Sequence, residues 1–525
     1  MPLCLPDLLA VLLLTLFVLL SLRGLDVIPQ VYQDEGWIAS PGLTYVEQGV
    51  FASDLFRGFF GSERHFYGFL PLYPVLCGAS MKLFGVSLLS ARLVSLLLAS
   101  ATLALTYVGG RRLLSPSHGL AALAVLALWP VAAPLPYLPT GIPLADLARL
   151  VRYDIGVPVF GLAGFLLIAG HTGITRTRAA AAGALAALSA LCHVYGGAWL
   201  AVGAILVLRD DGAGRGARLA ALCGSFVAVL SPWLLFAFRD SADLAGQNFN
   251  VSDRFTLFDP VFYLSNLRFE WRRYEPVLRE ARSGDLAVWI WGAAVVAGGM
   301  LLLRRAARER DQSASEILLA LAVTAFLFAL LVRPKTFSYL ATLWPLLALT
   351  ASTAVVSLLS STRPRAVRAA AALLFAVPVV HGASAYWDRA REASRATPYP
   401  VLAERLRAIV PREARLLAHH EAWFALQGRV ADYRSLQVPF SLSSRAHVPV
   451  PTTFARAADV TETDALLLDP STLRFLEKSP ESPDPGHAVP ADVRAWMASR
   501  DARLVATLDD PSYGRFEVWR LSRPR

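Results

Sequence analysis

Asp34 and Glu35 stand side by side about a dozen residues beyond the first hydrophobic segment of a 525-residue chain. Ionisable groups in an apolar protein are costly unless they meet water, a cation or a substrate. Flanked by Tyr32 and Trp37, the pair reads either as a solvated loop or as a reactive centre. A hydroxyl acceptor has a very high pKa, so its attack benefits from a neighbouring carboxylate base. A second carboxylate could orient the acceptor or hold a cation.

A cationic counterpart lies at Arg333-Pro334-Lys335-Thr336-Phe337-Ser338-Tyr339, between two apolar segments. Ammonium, guanidinium and hydroxyl donors suit a lipid phosphate and would stabilise it as a leaving group. The bland alternative is Arg and Lys snorkelling at helix ends. Of 50 basic residues only Lys82, Lys335 and Lys478 are lysines, and the compact ammonium of Lys335 is not what Arg supplies. Arg149, Arg152 and Asp154 form a third candidate. Their spacing puts Arg149 and Arg152 on one helical face, with an ion pair at a helix start as the plain reading. His193 and His65, the latter in Arg64-His65-Phe66-Tyr67, are further polar groups in aromatic or turn settings. His419-His420-Glu421 looks like a metal cluster, but adjacent strand residues point to opposite faces.

The elements that must position these residues follow from composition. The chain is 55% hydrophobic and only 17% charged, with a mean hydropathy of +0.47. A soluble chain carries closer to a quarter charged residues. Its apolar residues gather in long blocks, which indicates a polytopic α-helical membrane protein. The net charge of +10 sits largely on Arg in short loops, where a positive-inside bias accounts for it and nucleic acid is not implied. Cys4, Cys77, Cys192 and Cys223 show no CxxC spacing, against a disulfide framework or structural zinc. No Walker loop, no GxGxxG after a strand and no HExxH is present, so nothing marks nucleotide binding.

Apolar blocks fall near 7–22, 92–108, 119–135, 155–170, 179–208, 219–238, 285–303, 316–332, 338–359 and 366–382. The first lacks a basic n-region and a cleavage site and reads as a retained helix. Basic clusters occur at Arg111-Arg112, Arg176/Arg178, Arg209/Arg215/Arg218, Arg304–Arg310 and Arg363–Arg368. If all are cytoplasmic, block 179–208 must be a hairpin of two short helices turning near His193 and Gly196-Gly197. That gives about eleven transmembrane helices, N-terminus cytoplasmic, C-terminus outside. The outward segments are then 23–91, 136–154, 239–284 and the tail, with interfacial helices around 70–85. Residues 1–384 form the transmembrane domain and 385–525 a soluble C-terminal α/β domain. In the tail a helix over 401–410 ends at Pro411, and strand-like runs occupy 415–418, 465–468, 503–508 and 515–521.

With these elements in place, the chain resembles the polyprenyl-phosphate-dependent membrane glycosyltransferases of the GT-C superfamily. More narrowly it is similar to the bacterial relatives of protein O-mannosyltransferases and of the aminoarabinose transferase that modifies lipid A. The resemblance rests on Asp34-Glu35, Phe69-Leu-Pro-Leu-Tyr-Pro, Phe84-Gly and Ala91-Arg-Leu, followed by Arg152-Tyr-Asp154. Further on come Ser231-Pro-Trp233 with Gln247, and Lys335-x-x-x-Tyr339-Leu with Trp344-Pro345. It covers roughly 1–382 and lies in the ordered set rather than in any one motif.

The resemblance implies a GT-C-like fold and an inverting sugar transfer from a polyprenyl-phosphate donor. The acceptor is a hydroxyl on a protein, a lipid or an envelope glycan, at the outer face of the inner membrane, with the tail periplasmic or extracellular. Carried over, Asp34 is the base or acceptor-orienting carboxylate and Glu35 its neighbour. Lys335 and Tyr339 bind the donor phosphate with Arg152 assisting. Asp154, His65 and Gln247 are further candidates, and His193 replaces a Lys often seen in that turn. Some relatives bind a divalent metal, so one held by Asp34 and Glu35 stays open, and no other cofactor is implied. A transporter or flippase for lipid-linked glycans would show internal repeats and broken paired spans, which are not evident. A ligase using diphosphate-linked donors would want more cationic residues at the phosphate site.

Overall fold

A computed structural model of the chain describes residues 4–135, 137–212, 214–248, 256, 258–443, 452–478 and 489–522. Residues 1–3, and residues 249–255 and 257 of the expected outward segment 239–284, lie outside the described residues. Two compact units emerge. One comprises Met1–Arg23, Ser95–Phe236 and Arg254–Arg391; the other Gly24–Val94, Ala237–Asp253 and Glu392–Arg525.

The first unit is helical because its sequence offers long apolar runs whose backbone polar groups only a helix satisfies internally. Among the described residues six helices are long and apolar enough to cross a membrane: Leu5–Leu22, Leu88–Leu113, Arg215–Ala237, Leu286–Arg308, Gln312–Leu331 and Arg365–Ala393. Shorter helices at Pro116–Leu128, Gly156–Ile168, Arg176–Cys192, Ala198–Arg209 and Trp344–Leu359 occupy the remaining apolar blocks. The chain is a multi-pass membrane protein with one helix for each expected span.

Block 179–208 is a hairpin. His193 is extended (φ −154°) and ends the first helix, and a 3-10 turn at Val194–Gly197 starts the second. A Cβ on Gly196 would lie 2.3 Å from the Ser189 carbonyl oxygen, so only glycine allows the turn to fold back this closely.

Residues 149 and 152 do not share a helix face, contrary to the spacing argument. The short helix Pro143–Leu147 has ended before Arg149, and Arg152 is extended (φ −137°) ahead of a 3-10 turn at Tyr153–Ile155. Arg149 is fully buried and donates to the Ser21 carbonyl.

The second unit contains the helices Gln33–Gln48 and Leu72–Phe84, packed backbone to backbone. A Cβ on Gly42 would sit 1.7 Å from the Pro74 oxygen, and one on Gly78 2.1 Å from the Gly42 oxygen. Its sheet has β1 (Arg415–Ala418), β2 (Asp432–Ser435), β3 (Ala465–Leu468), β4 (Arg503–Asp510) and β5 (Gly514–Arg520), in the order β2-β1-β3-β5-β4. β1 runs parallel to β2 and β3, while β5 is antiparallel to β3 and β4. Leu417, Leu466, Phe454 and Trp496 anchor the core on one side of this sheet.

Four strands match the expected runs. β2, Asp-Tyr-Arg-Ser, carries no apolar alternation and is set by pairing with β1. The tail helix is Tyr399–Ile409. By contacts, residues 24–94 and 237–253 cluster with residues 392–525. The Tyr399 N–H donates to the Asp26 carbonyl at 3.0 Å, and a Cβ on Gly36 would meet the His420 oxygen at 2.6 Å.

Candidate active site

In the second unit, Asp34 lies in the first turn of Gln33–Gln48, half-buried. A carboxylate there is favoured by the unpaired N–H groups of the helix start. Glu35 supplies the local order. Its Oε2 accepts from the Tyr32 N–H at 2.8 Å, closing the first turn as a capping carboxylate does.

Both Glu35 oxygens also receive Arg92, at 2.8 Å from Nε and 2.7 Å from Nη2, and neither side chain is exposed. Arg92 Nη1 reaches the Leu25 and Pro29 carbonyls at 2.8 and 2.9 Å, and Nη2 the Gln30 carbonyl at 3.2 Å. A buried bidentate pair with every remaining donor satisfied can be stable, whereas removing one partner is severe. Glu35 is thus engaged in holding the loop before the Asp34 helix. Both Glu35 oxygens are already engaged, by Arg92 and by the Tyr32 N–H. Among the described residues no three His, Cys, Asp or Glu side chains gather as metal ligands, so the residues present do not fit a metal centre at Asp34-Glu35.

The same helix start is fixed from the tail. One ring nitrogen of His420, Nδ1, pairs with the Gln33 carbonyl at 3.1 Å, and the other with the Ser435 hydroxyl. Burial pushes the His420 pKa down to about 3, so the ring is neutral and Nδ1 donates to Gln33. Trp37 completes the setting, its ring 4.8 Å from Phe69, 5.7 Å from Phe56 and 5.9 Å from His420.

Gln247 ties down the loop that carries His65. Its amide donates to the Phe60 and His65 carbonyls (2.9 and 2.7 Å) and its oxygen accepts from the Tyr67 N–H (2.7 Å). The His65 ring lies parallel to Tyr67 with centroids 6.3 Å apart.

In the first unit, Arg152, Asp154, His193 and Tyr339 come together although 187 residues separate the first from the last. Arg152 binds Asp154 Oδ2 through Nε and Nη2 (3.0 and 2.7 Å) and reaches the Ser338 hydroxyl at 3.3 Å. Tyr195 donates to the other Asp154 oxygen at 2.7 Å. The His193 ring is surrounded by Tyr195, Tyr153 and Tyr339, at 4.0, 5.0 and 5.2 Å between centroids. The result is a cation, a carboxylate and three phenol rings at the point where two helix hairpins turn.

Lys335 is held differently. Its Nζ lies 2.6 Å from Glu270 Oε2 and 2.9 Å from the Val332 carbonyl. Burial lowers the Lys335 pKa, and Glu270 partly restores it. Arg273 grips the other Glu270 oxygen at 2.8 Å and also donates to the Pro334 and Val332 carbonyls. The Lys335 loop is therefore pinned by a Glu270–Arg273 pair that no sequence signal pointed to, because Glu270 lies in a charge-dense stretch without periodicity. Arg92 was within reach, since Ala91-Arg-Leu belongs to the ordered motif set. Its bond to Glu35, 57 residues earlier, is a tertiary fact.

No protein-family model matches the chain, and no curated protein matches its sequence. Solved structures do. ArnT from Cupriavidus metallidurans in the apo state aligns with a TM-score of 0.58 at 15% identity, over 98% of this chain and 99% of that one. ArnT from the same organism bound to undecaprenyl phosphate gives 0.57 at 14% identity with the same coverage. The Archaeoglobus fulgidus oligosaccharyltransferase in complex with zinc and sulfate aligns at 0.49 and 13% identity, over 87% of this chain and 68% of that one. At these identities the likeness is one of fold alone, that of a many-helix membrane protein with a small α/β tail.

Proposed function

We propose that this protein is a glycosyltransferase that moves a sugar from a polyprenyl-phosphate donor to a hydroxyl acceptor, with inversion, at the outer face of the inner membrane. The observation that carries the reading is a fold match over nearly the whole of both chains to a protein solved with undecaprenyl phosphate bound. The ordered motifs from Asp34 to Tyr339, on which the family resemblance rests, support the same reading.

In the proposed reaction the acceptor oxygen attacks the anomeric carbon, the bond from that carbon to the phosphate oxygen breaks, and polyprenyl phosphate leaves. Asp34 takes the hydroxyl proton. Arg152, Tyr339 and Lys335 bind the phosphate, with Asp154 and Tyr195 fixing the guanidinium of Arg152. Charge accumulating on the leaving phosphate is best stabilised by donors already in place, which the Arg152–Asp154–Tyr195 chain of bonds provides. Glu35 acts by position, through Arg92. The acceptor is a protein, a lipid or an envelope glycan.

Asp34→Asn tests the assignment. With a radiolabelled polyprenyl-phosphate sugar, transfer should fall by about 10²–10⁴-fold, the usual contribution of a general base, while donor binding is kept. Full transfer by that variant would remove Asp34 from the chemistry. Mass spectrometry of envelope glycans and glycoproteins from a deletion strain would identify the acceptor.

A further inference from the structure

The α/β tail has a feature that sugar transfer at Asp34 does not use. In its sheet β1 lies between β2 and β3, the chain leaving β1 toward β2 and leaving β3 toward the opposite edge. The loops after β1 and β3 therefore diverge. In open α/β sheets a crevice forms at such a reversal, beyond the carboxyl ends of the parallel strands, and ligands bind there.

A cavity of about 120 Å³ occupies this place, lined by Glu421 from the loop after β1 and by Asp469, Ser471 and Arg474 from the segment after β3. That is far more than the roughly 10–15 Å³ a single water requires. Tyr513 and Phe516 from the β4–β5 hairpin close one side, and Leu402 and Leu406 another.

The cavity's polar groups are unusual for a structural core. Burial, and then the adjacent Asp469, push the Glu421 pKa well above the ordinary range. Asp469 stays ionised at about 2, despite burial, through His419 and bonds from Glu421, Ser471 and Thr472. Arg474 places a guanidinium on the same wall, opposite in charge to Asp469. The Tyr513 hydroxyl oxygen is buried and has no hydrogen-bond partner among the described residues. Buried hydroxyls are normally satisfied, so an orphan on a cavity wall points to a partner from outside the chain.

We propose that this cavity binds one neutral sugar residue of a glycan, independently of the transfer site. Adjacent sugar hydroxyls each donate and accept, which suits a set of two carboxyl groups, a serine hydroxyl, a guanidinium and the Tyr513 hydroxyl around one cavity. The C–H faces of the ring suit Phe516, Leu402 and Leu406. A phosphate would meet Asp469. A divalent cation would lack a third ligand among the described residues.

The test uses the full-length protein in detergent and saturation-transfer NMR with the methyl glycosides of glucose, mannose, galactose and arabinose. At least one should bind. Tyr513→Phe and Glu421→Gln should each weaken that binding about tenfold or more, with unchanged melting temperature. Ser471→Ala serves if either fails to fold. Asp34→Asn should leave it unaltered, which separates this site from the proposed transfer reaction. No binding by any of the four glycosides, or binding indifferent to all three tail substitutions, overturns the proposal. So does calorimetric binding of Ca²⁺ or Mn²⁺ that Glu421→Gln abolishes.

Discussion

At the scale of single residues, the most consequential contact is the buried pair between Arg92 and Glu35. Arg92→Met would leave Glu35 as an uncompensated buried charge, a loss of about 3–5 kcal/mol for such sites. We expect a lower melting temperature and loss of transfer together, both partly recovered when Glu35→Gln is added. An unchanged melting temperature for Arg92→Met would show that the pair does not order the loop. Lys335 offers a cleaner separation. Lys335→Ala should raise the apparent KM for the lipid donor about tenfold, equivalent to about 1.4 kcal/mol. Glu270→Gln, which removes the competing carboxylate, should lower it. If both variants keep the wild-type KM, the ammonium is only a tie within its own loop. Asp34, Arg152 and Tyr339 could be picked out by type and order along the chain. Tyr195 and Glu270 could not, because each is placed by a partner 41 or 65 residues away, and Arg92, although it lies in a matching motif, gave no sign of its bond to Glu35.

Elements explain why these side chains are where they are. The helix bearing Asp34 has no length or periodicity to fold alone, and helices of this size are marginal in water without packing. What holds it is the crossing at Gly42 and Gly78, where the backbones touch. Gly78→Val forces a side chain into the Gly42 carbonyl and should displace the whole Asp34 helix. We expect transfer to fall at least tenfold, with greater protease sensitivity in residues 33–84. Limited proteolysis followed by mass spectrometry would check this, and a wild-type digestion pattern would count against it. The hairpin at 176–209 was readable because charge sidedness leaves only one parity. The short strand β2 was not, since four polar-rich residues carry no pattern until β1 pairs with them.

For the molecule as a whole, the tail is part of the unit that carries Asp34, and His420 is the joint. Its folded pKa, about 3, lies below the ordinary 6.5. The unfolded chain therefore binds the extra proton between those values, and His420 contributes stability above pH 6.5 that is lost as pH falls toward 3. The slope from this one group is at most about 1.4 kcal/mol per pH unit. Glu421, with its raised pKa, works in the opposite sense above about pH 4.5. The prediction is therefore stated as a difference. The melting-temperature gap between wild type and His420→Gln should be widest near pH 7 and shrink on going to pH 5. A gap that is constant with pH would mean that the ring's neutrality does not matter to the joint.

Hydropathy, loop charge and turn residues were enough to determine a multi-pass helical chain, the places of its apolar helices, the hairpin near His193 and most of the tail's strands. These are local properties, since a helix in lipid must satisfy its own backbone and a strand announces its period within a few residues. Which charge meets which was decided only by the tertiary structure. Burial makes a carboxylate seek the nearest guanidinium in space, and nothing about neighbours in sequence says that Glu35 will find Arg92 or that Lys335 will find Glu270. The same holds for the tail, whose joining to the Asp34 helix rests on one histidine and the close approach of Gly36.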